Sequence, residues 1–176
     1  MKQIKEILIA SVSLFLLGFG ICMAVSTFFM YREGEQEYEA LREYVNEEER
    51  EEDEKLQAVL QYTRNTFRQF DFSEEEIFQI CECVRYFVTN RQALSVNIHI
   101  KRRTTVTQIS LKNFAWNIAF QYNISRDVTA QFVMQTFHEW FDNSTLDTIR
   151  KNLRTTTGNH KIKIDEQIIK HPIISN

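Results

Sequence analysis

ILIASVSLFLLGFGICMAVSTFFM, residues 7–30, carries no charged side chain over 24 positions. A helix rises about 1.5 Å per residue, so this run is long enough to cross a hydrocarbon core of roughly 30 Å with some tilt. Inside hydrocarbon the backbone must satisfy its own hydrogen bonds, which makes a helix the form such a run takes there. A buried core helix of this length would show a polar stripe, and none is present. A cleaved secretory signal is the main rival, because Lys2 and Lys5 precede the run and Ala24-Val25-Ser26 places small residues as a cleavage site needs them. Signal cores are about 7–15 residues, however, and this run exceeds that. Ile21 stands where a lipoprotein signal needs a small residue before Cys22. The run reads as a retained single-pass anchor in contact with membrane lipid. Gly20 and Ala24 form one small-xxx-small pair through which two anchors would meet as a homo-oligomer.

Outward from the anchor, composition narrows the rest. The chain has 176 residues, with 14 Phe, 6 Tyr and 2 Trp to fill a core. Its four glycines are Gly18, Gly20, Gly34 and Gly158, and its one proline is Pro172. A P-loop or a G-x-G-x-x-G dinucleotide site needs clustered glycines, so neither is expected. No G-x-S-x-G elbow occurs either. The net charge of −3 hides an asymmetry. Residues 33–54 hold 12 of the 24 acidic side chains with only Arg42 and Arg50 opposing them, whereas residues 56–176 hold 15 Lys and Arg against 11 acids, a balance of +4.

The predicted fold class is mainly α with a minor β component. The expected divisions are an anchor over residues 1–31, an acidic helical stalk over 32–69, a compact mostly helical domain over 70–165 and a flexible tail over 166–176. In the stalk, Tyr38, Leu41 and Val45 share a helical face that Leu56, Val59, Leu60, Thr63 and Phe67 resume. Like charges over residues 46–55 predict a frayed middle. Ser73 and Glu76 have capping-box spacing, with Phe72 and Ile77 as a hydrophobic staple. The helix they open carries Ile77, Ile80, Cys81, Val84, Phe87 and Val88 on one stripe, with Cys83 off it as a spare thiol. Leu94, Val96, Ile98 and Ile100 alternate with polar residues as a strand does, and Ile162 and Ile164 suggest a last short strand. Ser110, Ser125 and Ser144 are expected to cap three further helices, the second running through Trp140 and Phe141 and the third ending near Gly158.

The stretch LKNFAWNIAFQYNISRDVTAQFV, residues 111–133, has the form of a helix-turn-helix. Asn123 takes the turn position that favours a left-handed residue, Ile124 plugs the angle, and Arg126, Asp127, Thr129 and Gln131 face outward. The order helix–strand–helix–helix is shared with winged helices. In that arrangement Arg126 and Gln131 would meet DNA, and Lys101, Arg102 and Arg103 would supply flanking phosphate contacts. Asp127, Glu139 and Asp142 oppose a polyanion on the same stretch.

The helix SLKNFAWNIAFQYN with TLDTIRKNL near the end, within residues 110–154, resembles the C-terminal part of excision regulators of conjugative transposons. That resemblance implies a helix-turn-helix-like fold and a DNA-binding regulator. A membrane run departs from that family's pattern. The anchor followed by Tyr31, Tyr38 and Leu41 resembles the membrane exit of class B sortases, but the T-L-x-T-C nucleophile motif is absent and no transpeptidase activity is implied.

No catalytic residue, cofactor or metal is expected. His138 and Asp142 sit one helical turn apart like two ligands, yet no third ligand is placed by spacing. Cys81 and Cys83 point apart on a helix, so neither a disulfide nor a chelate joins them. The function expected is therefore a non-catalytic interaction module for a protein partner, held at a membrane, with the DNA-binding regulator as the alternative. Lysine and arginine near the anchor give little topological bias, and the short flank bearing Lys2 and Lys5 is the easier one to place inside. An outside domain would expose Asn123-Ile124-Ser125 and Asn143-Ser144-Thr145 as glycosylation acceptors.

Overall fold

A computed structural model describes residues 2–94, 98–158 and 160–170. Among them the regular structure is helical: α1 (Lys2–Arg68), α2 (Glu74–Asn90), α3 (Gln108–Gln121), α4 (Arg126–Thr136), α5 (His138–Phe141) and α6 (Leu146–Lys151). The chain divides into two units, Met1–Glu51 and Glu52–Asn176.

In the first unit, α1 contains a stretch long and apolar enough to cross a membrane, none of it buried against other protein. Leu14, Phe15, Leu16, Leu17, Phe19 and Ile21 are all exposed. Thr27 is a polar residue near its end, and its hydroxyl donates back to the carbonyls of Met23 (3.0 Å) and Ala24 (2.9 Å). A hydroxyl satisfied within its own helix needs neither water nor a partner. The helix continues unbroken through residues 46–55, where charge repulsion predicts fraying. Glu47–Arg50 (3.4 Å) and Glu52–Lys55 (3.7 Å) offset part of that repulsion one turn apart.

The second unit begins at Glu52, well before the boundary expected at residue 70. Val59, Leu60, Thr63 and Phe67 are fully buried, so the last part of α1 is a wall of the core rather than a stalk. The core is aromatic: Phe67 meets Phe72 (5.0 Å between centroids), Phe114 (4.8 Å) and Phe137 (5.7 Å), and Phe87 stacks on Phe132 at 4.3 Å. The capping box at Ser73 forms as spaced: the Glu76 amide donates to Ser73 Oγ (3.2 Å) and the Ser73 amide to Glu76 Oε2 (2.9 Å).

Cys83 corrects the single-stripe reading of α2. Both thiols are buried because α2 has a neighbour on each side. Cys81 Sγ lies 3.9 Å from the Leu60 carbonyl of α1, while Cys83 faces Thr136 of α4. Burial pushes the Cys81 thiol up and takes Cys83 to about 12, so neither is a thiolate near neutral pH.

The strand expectations are also corrected. Ile98, His99 and Ile100 are irregular, and residues 95–97 lie outside the described ones, so among the described residues no strand forms. Ile162 and Ile164 are likewise irregular. The segment they sit on runs along α3 and is held there by side chains. Ser110 Oγ accepts from the Lys161 amide (3.0 Å), Asn113 donates to the Ile162 carbonyl (2.9 Å), and Gln121 donates to the Glu166 carbonyl (3.1 Å). Asn117 donates to the Lys163 carbonyl (2.9 Å) and to Tyr62 Oη (2.9 Å), and accepts from the Asp165 amide (2.9 Å). Positions 110, 113, 117 and 121 form one helical face, which serves the segment as a neighbouring strand would. Ile168, expected in the flexible tail, is buried, and residues 171–176 lie outside the described ones.

Helix caps shift by a few positions. Thr107, not Ser110, caps α3, and Thr145, not Ser144, caps α6. Ser125 caps α4 as expected. That helix stops at Phe137 (φ −118°, ψ 37°), whose ring turns into the core, and α5 restarts beyond it. The third capped helix ends at Lys151, short of Gly158.

Candidate functional site

Tyr122–Ser125 joins α3 to α4. Asn123 adopts φ 50°, its amide donates to the Phe120 carbonyl (3.3 Å), and the Ile124 amide donates to the Ala119 carbonyl (2.9 Å). This pair of bonds is a Schellman ending, with asparagine in the place glycine usually holds. Replacing Asn123 with valine should cost about 1–2 kcal/mol in denaturant unfolding, because a β-branched residue resists this conformation, while glycine there should be near neutral.

The five residues expected to meet DNA divide between separate surroundings. Arg126 is exposed at the start of α4, its guanidinium 5.5 Å from the Trp116 ring. Arg154 lies 6.0 Å from the same ring and pairs with Glu166 at 3.3 Å. Gln131 is exposed further along α4. Asp127 is paired with Arg150 at 3.2 Å, and Thr129, expected to face outward, is buried with its hydroxyl on the Ser125 carbonyl (2.8 Å). Only a narrow strip of α4 is therefore exposed, bearing one positive and one negative side chain.

Lys101 and Arg102 are exposed, and the Arg102 amide donates to Glu139 Oε2 at 2.7 Å. Arg103 is a correction. Its guanidinium grips Glu76 through both oxygens (3.0 and 2.7 Å), donates to the Lys101 carbonyl (3.0 Å) and lies over the Phe72 ring at 4.1 Å. It is a bolt between the 101–105 turn and the start of α2 rather than a free phosphate ligand. The Arg103 guanidinium holds the Glu76 carboxyl down at about 2, aided by Ser73.

That geometry makes a pH prediction. A carboxyl with a depressed folded-state value contributes stability above its ordinary value of about 4.3, and the contribution drains away as pH falls toward 2. Arg103→Ala should lower stability at neutral pH by about 2 kcal/mol, between exposed and buried pairs. It should also flatten the acid limb of a stability–pH curve between roughly 4.5 and 2. Equilibrium denaturation across that range checks both.

His138 is brought together with His99 and Glu139. One ligand atom from each of the three lies within 4.8 Å of the others. The two imidazole rings meet edge to face at 5.9 Å. Spacing could not reveal this group, because His99 reaches it from a distant irregular segment.

A cleft of about 340 Å³ lies among Glu52, Asp53, Leu56, Val88, Thr89, Arg91 and Tyr122. Lys55 sits 4.4 Å above the Tyr122 ring, and burial raises the Tyr122 hydroxyl to about 12.

No family model matches the chain, and neither a curated protein nor a solved structure shows significant similarity to it.

Proposed function

We propose that the chain is a single-pass membrane protein whose second unit is a non-catalytic interaction module for a protein partner. The observation that carries the reading is the exposure of the apolar side chains of α1 from Leu14 to Met30, none of them buried against other protein. So much continuous apolar surface is stable in hydrocarbon and unstable in water. Lipid contact falls on residues 7–30, and self-association through Gly20 and Ala24 goes with it. The flank with Lys2 and Lys5 lies inside and the helical unit outside.

A reporter fused to the C-terminus tests this placement. Activity only outside the cell supports it, and activity only inside reverses the orientation. Turnover by the purified chain, abolished by one side-chain change, would overturn the non-catalytic part.

A second reading is a DNA-binding regulator of a mobile element, favoured by the α3–α4 elbow at Asn123. It needs the helical unit inside. It predicts salt-dependent binding of duplex DNA, weakened by Arg126→Ala or by neutralising Lys101 and Arg102. The absence of any gel shift at low salt ends it.

A further inference from the structure

We propose that His99, His138 and Glu139 form a binding site for a divalent transition-metal ion of the zinc class. Two imidazoles and one carboxylate are a donor set that zinc sites with three protein ligands and one open position use. Imidazole nitrogen favours zinc and its neighbours over calcium or magnesium, which prefer all-oxygen shells.

The three ligand atoms lie within 4.8 Å of one another. Around a tetrahedral ion with bonds of about 2.1 Å, ligands stand about 3.4 Å apart, so side-chain rotations of about 1 Å close the set. The framework beneath them is firm. His138 and Glu139 follow Phe137 and precede Trp140, both buried in the core. The Trp140 indole donates to the Val106 carbonyl at 3.0 Å, and the Gln108 amide bonds the Trp140 carbonyl. His99 adjoins buried Ile100. The Arg102 amide already holds one Glu139 oxygen at 2.7 Å, an outer contact of the kind that orients a ligating carboxylate and leaves the other oxygen for the ion. A bound ion would tie the irregular 98–103 segment to α5.

The test uses the untagged full chain, freed of metal, in detergent micelles. Zinc is titrated in competition with a chromophoric chelator, and cobalt absorption reports coordination geometry. One tight equivalent of zinc and an intense, tetrahedral-type cobalt spectrum are expected. Affinity should fall at least about 10-fold in H99Q, H138Q and E139Q, and stay unchanged in H160Q, whose ring bonds the Gly158 carbonyl instead. Lack of a stoichiometric equivalent in the wild-type chain, or a weak octahedral cobalt spectrum, overturns the proposal whether or not the variants fold. Equal affinity in the folded variants assigns the metal to other residues, such as the acidic 46–55 run, and overturns it too.

Discussion

Phe67→Ala is expected to destabilise the second unit by about 3–5 kcal/mol, the range for deleting a large buried aromatic. The ring is fully buried and touches Phe72 before α2, Phe114 on α3 and Phe137 at the α4–α5 break. Removing it takes edge and face contacts from three rings at once and leaves a cavity that fixed helices cannot refill. Tryptophan fluorescence during denaturation is a suitable readout, because Trp140 is buried and Trp116 partly so. A drop below about 1 kcal/mol would mean that the end of α1 is not part of this core, as a solvated stalk over residues 32–69 would require.

Asn117→Leu should be nearly as damaging for the opposite reason. The substitution keeps the branched shape and adds apolar bulk, yet takes from the Tyr62 hydroxyl, the Lys163 carbonyl and the Asp165 amide the buried partner they share. Unsatisfied buried groups cost about 1–3 kcal/mol each, partly relieved by water, so about 3 kcal/mol is expected. Cleavage by trypsin at Lys161 and Lys163 should accelerate before global unfolding, because those residues lie on the segment that Asn117 secures. Unchanged proteolysis would show that Ile162, Ile168 and the bonds from Ser110, Asn113 and Gln121 hold the segment without Asn117.

The features legible in the sequence are those whose partners lie within a few positions. Ser73 and Glu76 complete their capping box within one turn, and the Asn123 ending is built from Ala119 to Ile124. The stripe on α2 announced its core side for the same reason. What stayed hidden depends on distant partners. Arg103 reads as a phosphate ligand by sequence because its partner, Glu76, lies 27 positions away in the chain. Cys83 looked exposed because a helix held between two neighbours has two buried faces. The start of the second unit was masked by the acidic run just before Leu56. The alternating isoleucines at 162 and 164 signalled an extended segment, but the polar face at 110, 113, 117 and 121 took the place of a β neighbour. His99 could be joined to His138 and Glu139 only through the fold.

Residues 7–30 are proposed to hold the chain in a bilayer, uncut. The most direct measurement is the intact mass of the chain recovered after alkaline extraction of membranes from expressing cells. An uncut chain retained in the membrane pellet is the predicted result, with release when charged residues replace Leu17 and Phe19, each costing about 2.5–3.5 kcal/mol at a helix centre. Recovery of the wild-type chain in the supernatant, or of a product cleaved near Ser26, would contradict it.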